Sequence, residues 1–428
     1  CRSNRIDGSG DAMRVLVLGA GVVGVTTAFQ LLKDGHEVTV IDRAEEVASF
    51  SSHANAGLVA PGHAYAWSSP RAPGMMLRSL YREDQAIRFR PSLNPALWLW
   101  SLKFLKQCTA ERALVNTQQK SRICTYSQPL IKEIATETGI PYDANDGGLL
   151  YFYRHAETFD FAATKCGILQ KEGIKVEVLN VAETIARDPG LADAEHEIVG
   201  SLYAPNDESG DARLFTIALA EECKKRGARF LMGTTLKALE SDGNRITGAL
   251  TDGQRLSTDQ YVLSLGVFSS ELVKNIGLRL PIYPVKGYSM TMPVKPEHTP
   301  PTLGGVDEDN LLAYCPMGDR FRLTATADFA GYEVSHKPAD FNVMTRKARE
   351  IFPAAADYSK PEYWAGLRPM TPSGLPIVSA SPIDNLWLNT GHGHMGWTMG
   401  CGTARVLADL MAGRKPEIDA SAMSYQAC

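Results

Sequence analysis

Long hydrophobic runs are missing from this chain of 428 residues, and no stretch approaches the roughly 18 apolar residues that cross a bilayer. Low-complexity tracts are missing too, and a content of 44% hydrophobic and 21% charged residues is typical of a globular protein. Positive charge is not in excess, because the formal net charge is −4. Nucleic-acid phosphates attract a broad positive field, so we expect neither a transmembrane helix nor a nucleic-acid partner.

Paired cysteines are also absent. The eight cysteines are scattered, with no C-x-x-C pair and no histidine at metal-ligand spacing. We therefore predict no metal site and no disulfide framework, and we interpret the thiols as those of a reduced, cytoplasmic protein. The first residues, CRSNRIDGSGDA, lack the apolar core of a signal peptide. Residues 1–12 are interpreted as a leader or cloning remnant.

A complete βαβ unit follows. The segment RVLVLGA predicts a buried strand, VGVTTAFQLLKDG has the period of a helix, and HEVTVID predicts a second strand. Between the first strand and the helix, Gly19, Gly21 and Gly24 form G-x-G-x-x-G, the spacing at which a backbone turn approaches a pyrophosphate. The phosphates then lie at the helix N-terminus, and Asp42, which ends the second strand, can accept hydrogen bonds from a ribose. The pattern predicts a dinucleotide site.

The rest of the chain alternates strand-rich and helical stretches. Residues 214–226 have the pattern of a helix, and residues 229–265 predict a β-meander that ends in a buried strand. A second strand-rich stretch covers residues 282–329. The last segment repeats the order of the first, with a strand NLWLN, a glycine-rich turn TGHGHMG and a helix that begins at WTMGCG. One nucleotide-binding domain assembled from separated stretches, interrupted by a substrate domain, accounts for this order.

At this point the sequence resembles the D-amino acid dehydrogenase branch of the glycine oxidase and D-amino acid oxidase family of flavoenzymes. The resemblance covers nearly the whole chain from Met13 onward and rests on six blocks in the same order. These blocks are MRVLVLGAGVVGVTTAFQLLKDGHEVTVIDR, SSHANAGLVAPGHAYAWSSPRAPG, YAPNDESGDARLFT, PVKGYSMTMPV, WAGLRPMTPSGLPIV and LWLNTGHGHMGWTMGCGTARVLADL.

The resemblance implies a combined α/β and α+β fold. A Rossmann-like FAD-binding domain of the GR2 type would be assembled from discontinuous segments, beside a substrate domain built on a mixed β-sheet with helices. We predict that the FAD-binding domain comprises residues 13–85, 205–278 and 363–421. The substrate domain would comprise residues 86–204 and 279–362.

FAD is the cofactor that the resemblance implies. The block SSHANAG is rich in small residues and short hydrogen-bond donors, which let backbone N–H groups approach a flat ring. The C-terminal turn would place backbone amides at the pyrimidine edge, where reduction leaves negative charge. The predicted FAD contacts are Gly19, Gly21, Val22, Val23, Gly24, Asp42, Arg43, Ser51, Ser52, Asn55, Ala56, Gly57, Leu58, Leu236, Gly266, Gly393, Gly396, Trp397 and Thr398.

Arg368 in AGLRPM matches the arginine that binds the amino acid carboxylate in the family. A guanidinium offers a planar fork that pairs with both carboxylate oxygens, so the match has a physical reason. Arg322 is a weaker rival for the same role.

Two tyrosines and two histidines are further candidates for catalytic or substrate contacts. Tyr288 and Tyr314 lie in the strand-rich stretch expected to cover the flavin, although a buried tyrosine with a satisfied hydroxyl is an ordinary core residue. His392 and His394 lie on the glycine-rich turn, where one of them is a candidate to contact substrate or flavin.

The reaction implied is oxidative deamination of D-amino acids to 2-oxo acids and ammonia, by hydride transfer from the α-carbon to N5 of FAD. The acceptor would be a quinone or respiratory chain, with loose association with the inner face of a bacterial inner membrane. The tryptophan-bearing segment 94–105 suits that contact, whereas a helix packed on the protein's own core is the alternative.

Three other functions stay open from the residues alone. One is an oxygen-using oxidase of glycine, sarcosine, proline or hydroxyproline. Another is an NAD-linked dehydrogenase, which shares the first βαβ unit but needs no block such as SSHANAG. The third is a non-catalytic FAD-binding protein.

Overall fold

The computed structural model describes residues 12–79 and 87–428. The predicted leader, residues 1–12, lies outside the described residues except for Ala12. The strands of the described ranges are β1 (Arg14–Leu18), β2 (Glu37–Ile41), β3 (Leu58–Val59), β4 (Ile87–Phe89), β5 (Leu149–Tyr153), β6 (Glu177–Leu179), β7 (Gly200–Ala204), β8 (Glu208–Ser209), β9 (Arg229–Leu231), β10 (Leu236–Ser241), β11 (Ile246–Thr251), β12 (Arg255–Leu256), β13 (Gln260–Leu263), β14 (Tyr283–Pro293), β15 (Gly304–Asp307), β16 (Leu312–Met317), β17 (Arg320–Phe329), β18 (Glu362–Met370), β19 (Ile377–Ala380) and β20 (Leu386–Thr390). The α-helices are α1 (Val22–Lys33), α2 (Ala72–Arg78), α3 (Pro95–Gln107), α4 (Ala110–Thr138), α5 (Ala156–Lys171), α6 (Val181–Arg187), α7 (Ala212–Lys225), α8 (Ser269–Leu272), α9 (Asn342–Ile351) and α10 (Gly396–Met411).

A six-stranded sheet contains the predicted βαβ unit. Its strand order is β19-β20-β13-β1-β2-β9, and all neighbours run parallel except β19, which is antiparallel to β20. Helices α1, α4, α7 and α10 bury apolar side chains against one face, and β10 and β11 pack on the other. Burial on both faces explains why β1 is a continuous run of Val and Leu rather than an alternating pattern.

The meander predicted over residues 229–265 is shorter in the structure. Only β10, β11 and β12 form an antiparallel sheet of their own. The strands at either end, β9 and β13, join the six-stranded sheet, where β13 lies beside β1. The apolar residues of β13 are buried, as in a covered parallel sheet, whereas β9 is a partly exposed strand at the edge of that sheet.

A second, mixed sheet has nine strands. Eight follow the order β18-β14-β17-β16-β15-β5-β7-β6, and β4 pairs with β17. The pairs β15–β5 and β17–β4 are parallel and the others are antiparallel. One face packs on α9 in an apolar core. A Rossmann-like unit joined to a mixed sheet is the architecture predicted from the sequence, and it is confirmed.

The predicted domain bounds stay a prediction, and the packing favours two changes. Strand β18 pairs with β14 from Tyr283–Met370 to Thr291–Glu362, so it belongs with the mixed sheet rather than with the FAD-binding segments. Helix α4 packs with α1 and α10, and the N–H of Gly402 donates to the hydroxyl of Ser127 on α4 at 2.9 Å. We propose that the FAD-binding domain includes α4 and resumes only after Met370.

The segment predicted as a core or membrane helix forms α3. One face, with Leu97, Trp100 and Phe104, is buried against β14, β17 and β18. The other face leaves large apolar side chains exposed. Within the described residues, no helix combines the length and the hydropathy needed to span a membrane.

Candidate active site

A cavity of about 540 Å³ runs between the two sheets, from the glycine-rich turn after β1 to β18. All the predicted FAD contacts except Gly24 line it. So do three predicted substrate-site residues: Arg368, His392 and His394. These residues, which are far apart in the sequence, therefore line one continuous cavity.

The glycine-rich turn at the first end has no room for side chains. Gly19 has a φ of +112°, and a Cβ there would lie 2.5 Å from the carbonyl oxygen of Ser264. A Cβ on Gly24 would lie 1.9 Å from the carbonyl oxygen of Gly19. The third glycine therefore permits close packing of α1 on β1, which is why it does not line the cavity.

The N-terminus of α1 opens toward the same end. Gly21 caps the helix without a side-chain hydrogen bond, and the N–H of Val22 donates to the hydroxyl of Ser52 at 3.0 Å. Val22 and Val23 both line the cavity. Because the N-cap residue has no side chain and Ser52 accepts from one N–H only, the helix start presents its other N–H groups and a positive dipole to an anion, as a pyrophosphate requires.

Asp42 follows β2, as predicted. Its two carboxylate oxygens accept from the N–H groups of Ala20 at 2.8 Å and Ala44 at 3.0 Å. Each oxygen has a further lone pair for a ribose hydroxyl. Beside it, the guanidinium of Arg43 lies 4.1 Å from the centre of the Phe268 ring, so cation–π contact helps to fix this end of the cavity.

Hydrogen bonds to the mixed sheet hold the SSHANAG loop in place. The hydroxyl of Ser51 donates to the carbonyl oxygen of Leu367 at 2.6 Å, and the side-chain oxygen of Asn55 accepts from the N–H of Gly57 at 3.0 Å. Arg322 donates to the carbonyl oxygen of Asn55 at 3.3 Å. Arg322 does not line the cavity. It therefore stabilises the loop, and its position does not fit the carboxylate-binding role considered for it.

The N-terminus of α10 lies at the middle of the cavity. Its N-cap, Met395, makes no side-chain hydrogen bond, and Gly396, Trp397 and Thr398 line the space. Trp397 is 4% exposed, and its indole N–H has no partner among the described residues. An orphaned buried donor next to a free helix start fits a cofactor edge rich in acceptors.

Arg368 on β18 is a half-buried cation without a counter-charge among the described residues. It donates to the carbonyl oxygen of Thr326 at 2.7 Å, and no carboxylate of the described residues forms an ion pair with it. Burial lowers its pKa to about 10. A guanidinium that is removed from water without an anionic partner is unfavourable, and a substrate carboxylate would supply that partner.

Two neighbours of Arg368 were not found from the sequence. A Cβ on Gly287 would lie 2.5 Å from Nη2 of Arg368, so this glycine makes room for the guanidinium. Thr326 has a φ of +70°, which is strained for a β-branched residue, and its carbonyl oxygen holds the guanidinium. A glycine inside a strand pattern was the available signal for the first, whereas nothing in the sequence marked the second.

Tyr288 and Tyr314 lie on the wrong face of the mixed sheet for a substrate contact. Both are buried in the core beneath α9, and neither lines the cavity. Their strand neighbours Gly287 and Ala313 line it instead, because successive residues of a strand point to opposite faces. Both tyrosines are therefore core residues, and the prediction that they contact the substrate was wrong.

The two histidines of the glycine-rich turn differ in role. His392 is 3% exposed and shares a hydrogen bond of 2.9 Å with the hydroxyl of Thr403; burial lowers its pKa to about 3, so it is neutral. The ring of His394 stacks on Trp67 at 4.5 Å, and its Nε2 lies 3.3 Å from Nζ of Lys120. Trp67 and Lys120 were also not found from the sequence.

Comparison with known proteins shows the family to which the chain belongs. The family described as "FAD dependent oxidoreductase" matches residues 14–410. The chain belongs to this family. Its cofactor is therefore FAD, which excludes the NAD-linked alternative, and the residues that line the cavity fit that cofactor. The chain is an enzyme of the oxidoreductase class.

Curated relatives cover nearly the whole chain. The chain is 45% identical over 414 residues to D-amino acid dehydrogenase 2 of Mesorhizobium japonicum, covering 96% of this chain and 100% of the relative. It is 40% identical over 412 residues to the D-amino acid dehydrogenase of Bradyrhizobium diazoefficiens, covering 96% and 98%. These likenesses confirm the family branch expected from the sequence.

A solved structure shares the fold. Glycine oxidase from Geobacillus kaustophilus superposes with a TM-score of 0.74 at 22% identity, covering 97% of this chain and 99% of that one. At this identity the likeness shows the fold alone.

Proposed function

We propose that the chain oxidises D-amino acids to 2-oxo acids and ammonia, with hydride transfer from the α-carbon to FAD. The observation that carries the proposal is Arg368, a half-buried guanidinium with no carboxylate partner among the described residues, on the wall of the FAD cavity. The names of the curated relatives support both the amino acid substrate and its D configuration.

Bound FAD supplies the hydride acceptor. Arg368 would pair with both carboxylate oxygens and fix the α-carbon, so that orientation supplies much of the rate increase. The N-terminus of α10 would stabilise the negative charge that reduction adds. The cavity wall also includes the small or apolar side chains Val306, Ala313 and Ala327, which support a small apolar substrate such as D-alanine.

Turnover with matched enantiomers tests this function. Purified holoenzyme is supplied with D- or L-alanine and either a short-chain quinone or oxygen as acceptor, and ammonia is measured. We expect ammonia from D-alanine with the quinone, with much less from L-alanine. Equal turnover of both enantiomers would contradict the D preference, and peroxide formation at the quinone-supported rate would favour an oxidase.

We further propose that the exposed face of α3 contacts a membrane in which a quinone is reduced. Leu99 is 63% exposed and Leu102 59%, and Trp98 lies beside them. Lys103 and Lys106 on the same helix suit anionic headgroups. Apolar side chains flanked by lysines are typical of a helix that lies in the bilayer interface.

Changing this face separates membrane contact from catalysis. The variant Leu99→Ser/Leu102→Ser is expected to lose at least about tenfold in affinity for anionic liposomes, since each buried leucine is worth about 1.5–3 kcal/mol. Activity with a water-soluble quinone stays unchanged. The matched control Val178→Ser/Leu250→Ser removes two exposed apolar side chains elsewhere. Equal liposome binding by both variants would exclude α3 as the contact.

A further inference from the structure

Lys120 on α4 is a buried lysine without a carboxylate. It is 1% exposed, and its Nζ donates to the carbonyl oxygen of Tyr65 at 3.0 Å. Among the described residues it forms no ion pair, and its remaining polar neighbour is Nε2 of His394 at 3.3 Å. Burial lowers its pKa to about 8. Because a buried unpaired ammonium is costly, Lys120 can lose its proton near neutral pH.

His394 connects this lysine to the cavity. Its ring is held by stacking on Trp67, and it lines the cavity together with Arg368. Its Nδ1 has no hydrogen-bond partner among the described residues. Burial, with the cations Lys120, His63 and Arg368, keeps the pKa of His394 well below its usual value, so the ring is neutral.

A neutral imidazole has one donor and one acceptor nitrogen, and Lys120 determines which is which. Charged Lys120 donates to Nε2, so the ring hydrogen lies on Nδ1. Neutral Lys120 can accept from Nε2–H instead, which leaves the lone pair of Nδ1 free. Nδ1 of His394, at the cavity wall, therefore changes from a hydrogen-bond donor to an acceptor when Lys120 loses its proton.

We propose that His394 and Lys120 form a relay that removes the proton from the substrate's α-ammonium group. The inference rests on the proposed function, in which the amine must be neutral when the α-hydrogen leaves. His394 is then a catalytic residue, and Lys120, which acts through it, is a positioning residue and terminal proton acceptor.

The relay balances in atoms and charge. An ammonium N–H bond breaks as Nδ1–H forms on His394, while Nε2–H breaks as a third N–H bond forms on Nζ of Lys120. The α-C–H bond of the neutral amine then breaks, and the hydrogen leaves with its electron pair to FAD. The protonated imine that remains is hydrolysed by water to the 2-oxo acid and an ammonium ion, which is in equilibrium with ammonia. Lys120 returns its proton to water before the next turnover.

Other titratable groups surround the pair. His63 forms an ion pair with Glu308 at 2.7 Å; burial opposes its charge, but the carboxylate prevails and raises its pKa. Burial raises the pKa of Asp207 to about 7, opposed by its hydrogen bond from Tyr151.

Cys124 lies one turn along α4 from Lys120, and burial raises its pKa to about 12. Burial also raises the pKa of the Tyr65 hydroxyl. Since the pKa of Asp207 is about 7 and the pKa of His63 is raised above its usual value, variants must assign the kinetic profile to Lys120.

The kinetic test follows anaerobic FAD reduction by D-alanine from pH 6 to 10. We expect the limiting rate of the wild type to rise with pH through an ionisation near pH 8 and then level off. Lys120→Met should lower this rate at pH 8 by about 10- to 100-fold and abolish that ionisation, and His394→Asn should do the same. Lys120→Arg, which keeps a cation that cannot lose its proton, should not restore the rate.

The control is Lys132→Met, which removes a half-exposed lysine from the same helix and should leave rate and profile unchanged. A Lys120→Met profile identical to the wild type would overturn the relay. A raised Kd for D-alanine with an unchanged limiting-rate profile would also overturn it, by assigning the pair to carboxylate binding.

A second test does not depend on turnover. Nitrogen-15 NMR of histidine-labelled, FAD-loaded protein without substrate reports the tautomer of His394. Between pH 6.5 and 9.5 we expect a neutral ring whose hydrogen moves from Nδ1 to Nε2 as Lys120 loses its proton, and no such move in Lys120→Met. A fixed tautomer, or a charged ring at pH 7, contradicts the relay.

The two tests separate failure of the relay from failure of the proposed function. If D-alanine reduces wild-type FAD but the tautomer does not respond to Lys120, the relay alone is wrong. If no amino acid reduces FAD, the proposed function fails and the relay fails with it, even where the tautomer still switches.

Discussion

Replacing Arg368 with methionine is expected to lower kcat/KM for D-alanine by about 300-fold. The loss follows from leaving the substrate carboxylate without its cationic partner, a change that costs about 2–5 kcal/mol where one member of a desolvated pair is removed. Tenfold corresponds to about 1.4 kcal/mol, so the middle of that range gives the expected factor. Steady-state kinetics with a soluble quinone measure it.

FAD content separates the clamp from a structural role for Arg368. The guanidinium has carbonyl partners but no counter-charge among the described residues. Methionine removes an unpaired, half-buried charge, so the variant should retain FAD and lose no thermal stability. Arg368→Lys should be intermediate, because it keeps the charge but loses the fork. The exposed Arg245→Met serves as the control, and an equal loss there would contradict the clamp.

Gly24→Ala is expected to lower the free energy of unfolding by about 3 kcal/mol and to release FAD. The new Cβ would lie 1.9 Å from the carbonyl oxygen of Gly19, so α1 must move away from β1. Overpacking a tight contact costs about 1–3 kcal/mol, and here the obstructing atom belongs to the backbone, which cannot rotate away. Denaturant unfolding and the flavin absorbance of the purified protein measure the two effects.

Gly167→Ala is the matched control for this change. Gly167 lies within α5 and has open space where the new Cβ would be. Alanine there should stabilise the helix by about 0.5–1 kcal/mol. If Gly24→Ala unfolded at the same denaturant concentration as the wild type, the proposed packing role of the third glycine would be wrong.

The sequence predicted best where chemistry and local structure coincide. The glycine-rich turn, α1 and Asp42 are consecutive in the chain, so their spacing alone places the dinucleotide end of the cavity. The glycine-rich turn before α10 was predicted in the same way. Residues that line the cavity from loops were accessible through the family resemblance.

Side-chain direction on long strands was harder to predict. Tyr288 lies one residue from Gly287, and the single-residue alternation sends the tyrosine to the core and the glycine to the cavity. Their segment KGYSM is buried on both faces, so hydropathy does not reveal which residue faces the site. A register shift between Lys286 and Tyr288 adds to this ambiguity.

Lys120 could not be predicted because its environment is assembled from distant segments. In the sequence it belongs to a polar helix in which a lysine is ordinarily solvated. Only the fold brings the loop at Tyr65 and the turn at His394 against it. Burial of a charged residue on an apparently polar helix is a tertiary effect without a local signature.

Anaerobic reduction of the holoenzyme by D-alanine and by α-deuterated D-alanine tests the central claim most directly. Both are expected to bleach the bound flavin, deuterium is expected to slow the bleaching, and one 2-oxo acid and one ammonia are expected per FAD reduced. Failure of every D-amino acid to bleach a flavin that dithionite does reduce would contradict it.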